Sequence, residues 1–150
     1  MAKKRILLTT QWTDDVMSSL KETYDVIHPS FGLHFQPNEC LNLIKGVEAF
    51  CPVFYDNIDD TFIQKLPASV KIIASNGVGV NHIDINSAKK KGIIITNTPD
   101  VLTAETADLA MGLVVSTARK FYEREKSLRE GNWTGPKIAD DLGIRVSGKT

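Results

Sequence analysis

The sequence predicts an α/β fold, a doubly wound parallel sheet of five strands with helices on both faces. Five short apolar runs alternate along the chain with amphipathic stretches of helical spacing. The apolar runs are continuous, which is typical of parallel strands that are covered on both faces. A length of 150 residues, with 42% apolar and 24% charged residues, is enough for one well-buried domain.

The first half of the chain contains three predicted strands and two predicted helices. Residues 5–9 form a buried strand, and Thr13 then caps a helix. The apolar face of this helix carries Val16, Met17, Leu20 and Tyr24. Residues 25–28 form the second strand. Pro37 opens the second helix in its first turn, where a missing N–H is tolerated, and residues 47–54 form the third strand.

Two further helices are predicted at residues 59–66, where Asp59 is the acidic cap, and at 85–91. The fourth and fifth strands are predicted at residues 70–75 and 93–97. Asp84 caps the second of these helices, and Gly92 ends it in the left-handed conformation. Repeated strand–helix units of this kind predict a flavodoxin-like domain. Ligands of such sheets bind beyond the carboxyl ends of the strands, so the loops after Ser75 and Asn97 are the candidate sites.

A longer helical pattern begins at Thr103 and ends at Gly131. Its apolar residues recur at helical spacing, at Ala107, Ala110, Met111, Val114, Ala118, Phe121 and Tyr122. As a single helix at about 1.5 Å per residue, it would be about 40 Å long, the width of a domain of this size. We therefore predict a first domain at residues 1–100, a bridging helix at 101–131 and the start of a second domain at 132–150.

The charge and the cysteine content limit the classes of binding partner and the cellular compartment that we expect. Eighteen basic and 18 acidic residues give a formal charge of zero, which argues against nucleic acid or an anionic membrane as the main partner. Two cysteines, Cys40 and Cys51, are too few for a disulfide framework or a metal knuckle. We expect buried free thiols and a cytoplasmic protein. No apolar run approaches the roughly 18 residues that cross a membrane.

The segment Gly77-Val78-Gly79 follows the fourth strand and is the candidate binding loop. Glycines let successive backbone N–H groups converge on an anion, because no Cβ obstructs them. From these residues alone, a tight turn without a ligand is the alternative. The pattern is not a dinucleotide fingerprint, which needs a third glycine where His82 stands. The segment Asn97-Thr98-Pro99 is either an ordinary turn, or it leads to a ligand bound at the N-terminus of the next helix. In the second case Thr106, in the first turn of that helix, faces the ligand.

Three other patterns predict no site. Residues 143–150 match a phosphate-binding loop, but the segment before them is polar and the required helix after them is missing from the sequence. His82 has no carboxylate at a suitable spacing to orient it for acid–base work. Ser75 lies near His82 but has no nucleophile-elbow pattern around it. We find no metal-ligand spacing and predict no metal site.

Several segments between residues 70 and 131 carry a resemblance to known proteins. They are SNGVGVN at 75–81, ID at 83–84, GIII at 92–95, NTP at 97–99 and TADLA at 106–110. Together they resemble the D-isomer-specific 2-hydroxyacid dehydrogenase family. The phrase NTPDVLTAETADLA at 97–110 is most similar to its glyoxylate/hydroxypyruvate reductase branch. Leu102 stands where the formate dehydrogenase branch has Asn, which disfavours that activity.

The resemblance implies an NAD(P)-dependent oxidoreductase that acts on small 2-hydroxy acids, reducing 2-oxo acids such as glyoxylate or hydroxypyruvate, and that is a homodimer at full length. In such enzymes the amides matching Val78 and Gly79 hold the substrate carboxylate, in a loop that here also contains Asn76 and Gly77. The position matching Thr106 lies against the cofactor, NAD or NADP.

The family's catalytic Arg, Glu and His lie beyond the residue matching Thr150, after a strand and a G-x-G-x-x-G loop, and this continuation accounts for the false phosphate-loop match. We therefore expect the chain to be an N-terminal portion, truncated before the cofactor loop and inactive by itself, with no catalytic residue. The alternative is a non-catalytic carboxylate-binding or protein-interaction module left by truncation.

Overall fold

A computed structural model describes residues 2–29, 35–135 and 142–149. Part of the predicted segment 132–150 therefore lies outside the described residues. The contacts divide the chain into two compact units, Met1–Val101 and Leu102–Thr150. The first unit contains the sheet and four helices, and the second contains two helices.

The first unit is built on a five-stranded parallel sheet, as predicted. Its strands are β1 (Arg5–Leu8), β2 (Asp25–Ile27), β3 (Ala49–Cys51), β4 (Ile72–Ala74) and β5 (Ile94–Thr96). They lie in the order β2-β1-β3-β4-β5, and every neighbouring pair is parallel. The continuous apolar runs of the sequence therefore indicated the correct sheet type.

Four helices connect these strands, at α1 (Asp14–Thr23), α2 (Pro37–Leu43), α3 (Asp60–Lys65) and α4 (Ile85–Lys90). The predicted caps at Asp59 and Asp84 are confirmed, since each carboxylate accepts a hydrogen bond from a backbone N–H three residues later. Thr13 occupies the N-cap position of α1 but makes no side-chain cap bond. Gly92 has a φ of 71°, the predicted left-handed conformation.

The core lies on both faces of the sheet, because successive strand residues point to opposite sides. Leu7, Phe50 and Ile73 belong to one buried cluster, together with residues of α2, α3 and α4. Ile6, Leu8 and Cys51 belong to the other, against Met17 of α1. The chain moves from β1 to β2 in one direction along the sheet and from β2 to β5 in the other. Since parallel strands are generally joined by right-handed crossovers, a reversal of direction places the later helices on the opposite face.

The second unit contains α5 (Thr103–Ala118) and α6 (Phe121–Arg129). The predicted helical region is confirmed, but it is not one continuous helix. Lys120 has a φ of 53°, a left-handed conformation through which an α-helix cannot continue. The sequence gives no Gly or Pro between residues 113 and 130 to mark this break. Neither helix has a buried residue among those that the structure describes.

Candidate functional site

The candidate loop, Asn76–Gly79, begins two residues after β4, at the carboxyl edge of the sheet. Isolated bridges pair Asn76 with Val53 and Ile83 with Ile58, so the loop is fastened on both sides to the segment that follows β3. The N–H of Asn76 donates to the carbonyl of Pro52 at 2.8 Å. These bonds hold both ends of the loop against the neighbouring chain.

Gly77 lies against Phe54, which follows β3. A Cβ atom placed at Gly77 would be 2.8 Å from the Cβ of Phe54, too close for any side chain. Gly79 differs, since a Cβ there would meet no atom within 4 Å. The first glycine is therefore required by packing, whereas the second leaves open space.

The N–H groups of Val78 and Gly79 donate to no protein acceptor among the described residues. Both residues are exposed, with 42% of Val78 accessible to solvent. Two carbonyl groups of the same segment, in contrast, have hydrogen-bond partners. The carbonyl of Gly77 accepts from the N–H of Thr98 at 3.0 Å, and the carbonyl of Val78 accepts from Nδ2 of Asn97 at 2.8 Å. The loop thus offers two N–H donors to solvent, while the carbonyls of Gly77 and Val78 accept hydrogen bonds from the segment after β5.

Sequence reasoning noted Asn97-Thr98-Pro99 as a turn or an approach to Thr106, but missed its contact with the glycine loop. The signal was present, because β4 and β5 are neighbours and the residues just beyond their carboxyl ends meet at one edge. That the Asn97 side chain reaches a carbonyl of the other loop could not be predicted, since side-chain reach depends on strand register.

Ser75 and His82 stand at the two ends of the loop region and are joined by a hydrogen bond. The Ser75 hydroxyl lies 3.1 Å from Nε2 of His82. Burial lowers the pKa of His82, and the nearby carboxylate of Asp56 acts in the opposite direction. Asp56 itself is buried and accepts from the Thr9 hydroxyl and the N–H of Val53. The hydrogen bond between Ser75 and His82 therefore joins the two ends of the loop region.

Thr106, the predicted cofactor contact, lies in the first turn of α5 in the second unit. Its N–H donates to the carbonyl of Leu102 at 3.1 Å, and the residue is exposed. The structure brings Asn76, Gly77, Val78 and Gly79 together in one loop; Thr106 belongs to a separate unit.

Gly143 is the first glycine of the segment that matches a phosphate-binding loop, and it lies against the end of α5. A Cβ atom at this position would lie 2.6 Å from the backbone of Ala118 and Arg119. The N–H of Ile144 donates to the carbonyl of Ala118 at 2.6 Å. Thr150 lies outside the described residues. The first glycine of the match thus permits a close approach to the end of α5.

Two features are absent from the part of the chain that the structure describes. No group of three or more His, Cys, Asp or Glu side chains in residues 2–29, 35–135 and 142–149 could hold a metal ion. Within the same ranges, no helix has the length and apolar character needed to cross a membrane.

Comparison with known proteins decides the family. The family model "D-isomer specific 2-hydroxyacid dehydrogenase, catalytic domain" matches residues 6–135. The chain belongs to this family of dehydrogenases. The resemblance read from the glycine loop and the segment after β5 is therefore confirmed, and so is the fold class that it implied.

Two curated relatives align over nearly the whole chain. The chain is 31% identical to a glycerate dehydrogenase of Hyphomicrobium methylovorum over 150 residues, which is 100% of this chain and 47% of the relative. It is 34% identical to a glyoxylate reductase of Thermococcus onnurineus over 152 residues, 99% of this chain and 45% of the relative. The chain thus spans about half the length of the curated relatives that it matches.

A solved structure is also similar to this chain over its whole length. The NADPH-dependent glyoxylate/hydroxypyruvate reductase of Sinorhizobium meliloti, in complex with citrate, matches with a TM-score of 0.80 and 29% identity. The match covers 100% of this chain and 45% of that one. A second structure of the same reductase contains NADP and malonate.

Proposed function

We propose that this chain is the substrate-binding, N-terminal part of an NAD(P)-dependent 2-hydroxyacid dehydrogenase that reduces small 2-oxo acids of the glyoxylate or hydroxypyruvate type. The relatives support this substrate class, because they include a glyoxylate reductase and a glyoxylate/hydroxypyruvate reductase. On this proposal residues 1–100 form the substrate domain, residues 101–131 the connection between domains and residues 132–150 the start of the cofactor domain.

The observation that carries the proposal is the pair of N–H donors at Val78 and Gly79, which are exposed and meet no acceptor in the part of the chain that the structure describes. A carboxylate accepts hydrogen bonds from backbone N–H groups, and such charge-assisted bonds are stronger than neutral ones. Asn76 and Gly77 complete the loop that would surround it. The chain has zero net charge, so its overall field does not attract an anion, and local dipoles of this kind would supply the attraction.

The rest of the reaction needs groups that this loop does not provide. Hydride transfer requires a nicotinamide cofactor beside the substrate carbon, together with a cation and a proton donor for the carbonyl. We propose NAD or NADP as the cofactor, since the Sinorhizobium meliloti reductase is NADPH-dependent and one of its structures contains NADP. Thr106 is the residue proposed to touch it, because its position in the exposed first turn of α5 leaves it accessible.

We further propose that the full-length enzyme is a cytoplasmic homodimer. Large apolar side chains of α5 are exposed, with Leu109 65% and Leu113 58% accessible. An apolar surface of this kind favours association with another protein surface. Both cysteines are free and buried, which is typical of a reducing compartment.

Two ligands that differ mainly in the carboxylate test the proposed binding. Hydroxypyruvate has a carboxylate next to its carbonyl carbon, whereas dihydroxyacetone has a hydroxymethyl group there. We expect hydroxypyruvate to raise the thermal unfolding midpoint of the chain in a saturable manner and dihydroxyacetone to leave it unchanged. Equal shifts with both ligands, or none with either, would contradict the assignment of a carboxylate site.

Turnover by the chain alone is the second test. We expect no oxidation of NADH or NADPH when the purified 150-residue chain is mixed with glyoxylate, because the family's catalytic residues have no counterpart in it. Steady glyoxylate-dependent oxidation of either cofactor would show that the chain carries the whole catalytic apparatus.

A further inference from the structure

The two peptide groups that carry the free N–H donors are held through their carbonyl oxygens. Nδ2 of Asn97 donates to the carbonyl of Val78 at 2.8 Å, and the N–H of Thr98 donates to the carbonyl of Gly77 at 3.0 Å. A carbonyl and the N–H of the following residue belong to one planar peptide group. These two bonds therefore act on the N–H groups of Gly79 and Val78, respectively.

A trans peptide group points its C=O and its N–H in opposite directions, and the described chain contains no cis peptide bond. With the carbonyl of Val78 fixed toward Asn97, the N–H of Gly79 must point away from Asn97. The bond from Thr98 has the same effect on the N–H of Val78. The segment after β5 thus sets the direction of both donors without touching either of them.

The peptide group between Val78 and Gly79 has little else to prevent it from turning over. Gly79 has no Cβ, so backbone conformations that other residues exclude are open to it. No atom lies within 4 Å of the place where its Cβ would be, so packing does not restrain it either. If this peptide turned over, a carbonyl oxygen would face the ligand in place of an N–H, and would repel a carboxylate.

We propose that Asn97 is a positioning residue: its side-chain amide locks the Val78–Gly79 peptide group with the N–H toward the carboxylate. This inference rests on the proposed function of the loop. Asn97 acts through the backbone of the loop and contacts no substrate. Both Asn97 and Val78 are exposed, so the bond between them contributes little to the stability of the fold. Its effect belongs to ligand binding.

The test uses the 150-residue chain, Asn97→Ala and the matched control Asn86→Ala. Asn86 is an exposed residue of α4 for which the structure shows no side-chain hydrogen bond. Residual dipolar couplings of the Val78 and Gly79 N–H bonds, measured without ligand, report the peptide orientation. An NMR titration with oxalate, which carries carboxylates and cannot be reduced by hydride, reports binding.

We expect Asn97→Ala to change the Gly79 coupling and to weaken oxalate binding by roughly tenfold, the loss of one charge-assisted hydrogen bond. The thermal midpoint should stay that of the wild type, and Asn86→Ala should behave as the wild type throughout. An unchanged Gly79 coupling in Asn97→Ala, or unchanged oxalate affinity, would overturn the positioning role while leaving the site itself intact.

Two further outcomes separate this inference from the function on which it rests. If the wild type does not respond to oxalate, the carboxylate site is wrong and its positioning residue is withdrawn with it. If Asn97→Ala does not fold, Asn97→Asp takes its place, since it keeps the shape of the side chain and replaces the donor by an acceptor. The Gly79 coupling should change in that variant too, and an unchanged value would overturn the role of Asn97.

Discussion

Gly77 and Gly79 have different roles, although they belong to one short loop. Gly77 packs so closely against Phe54 that a Cβ atom would not fit, whereas a Cβ atom at Gly79 would meet open space. The sequence predicted a loop of exposed N–H donors from both glycines together. It could not separate their roles, because Phe54 belongs to the segment after β3 and nothing near Gly77 in the sequence indicates that contact.

Substitution by alanine should separate the two glycines. We expect Gly77→Ala to lower the free energy of unfolding by about 1–3 kcal/mol, the usual cost of forcing an atom into a packed site. Gly79→Ala is the matched control, and its free energy of unfolding should stay within about 1 kcal/mol of the wild type, since its φ is not left-handed and its surroundings are open. Urea denaturation measures both, and equal losses would contradict the close contact with Phe54.

The two cysteines should be unreactive in the folded chain. Burial raises the pKa of Cys40 to about 12 and that of Cys51 to about 11. A thiol reagent should therefore modify neither at neutral or mildly alkaline pH and both in urea, because only the thiolate reacts. Rapid modification of a folded cysteine would show that it is not buried as described.

The raised pKa of Cys51 makes the free energy of unfolding depend on pH. An unfolded cysteine ionises near its ordinary value of 9.0, whereas folded Cys51 stays protonated until about pH 11. Between these values the folded state binds more protons, so this thiol's contribution to the free energy of unfolding is fully present below pH 9.0 and falls as the pH rises. Removing the thiol in Cys51→Ala should make the measured decline over this window shallower, and an unaltered slope would contradict the shift.

At the scale of elements, propensity and capping predicted most of the first unit. Asp59 and Asp84 cap their helices, Pro37 opens α2 and Gly92 ends the turn after α4. The break between α5 and α6 was not predictable in this way. Its left-handed residue is Lys120, a type that seldom adopts such a φ, and no Gly or Pro stands nearby.

A lysine joins two of these helices in a way that a substitution can measure. Nζ of Lys91 donates to three carbonyls at the end of α3, those of Ile63, Gln64 and Leu66, at 2.7–2.9 Å. We expect Lys91→Met to lower the free energy of unfolding by about 1–2 kcal/mol, because these helix-end carbonyls lose a cationic donor. Lys89→Met, on the exposed surface of α4, should have a smaller effect, and an equal loss in both would contradict the role of Lys91.

At the scale of the whole molecule, the two units differ in how they are stabilised. Both buried clusters lie within Met1–Val101, whereas α5 and α6 have no buried residue. The sequence predicted this contrast only in part. The helical spacing of residues 103–131 indicated a helix with an apolar face, but a helical pattern does not say whether anything in the chain covers that face.

The first unit should therefore fold without the second. A shortened chain of residues 1–101 should give a cooperative thermal transition close to that of the full chain, because both cores are retained. A peptide of residues 102–150 should have little stable tertiary structure. Loss of cooperative unfolding in residues 1–101 would show that the helices stabilise the sheet.

Exposed apolar side chains on α5 should lead to self-association of the chain. Leu109 and Leu113 are four residues apart and lie on one face of the helix. Replacing both by Glu should shift the sedimentation coefficient toward that of the monomer without changing the thermal midpoint of the first unit. A wild-type chain that remains monomeric at high concentration would contradict the proposed dimer surface.

The most direct test of the central claim is an NMR titration of the ¹⁵N-labelled chain with hydroxypyruvate, with dihydroxyacetone as the control. If the loop after β4 holds a carboxylate, the amide resonances of Val78 and Gly79 shift saturably with hydroxypyruvate and remain in place with dihydroxyacetone. Saturable shifts confined to other residues, or the same shifts with both compounds, would show that this loop is not the carboxylate site.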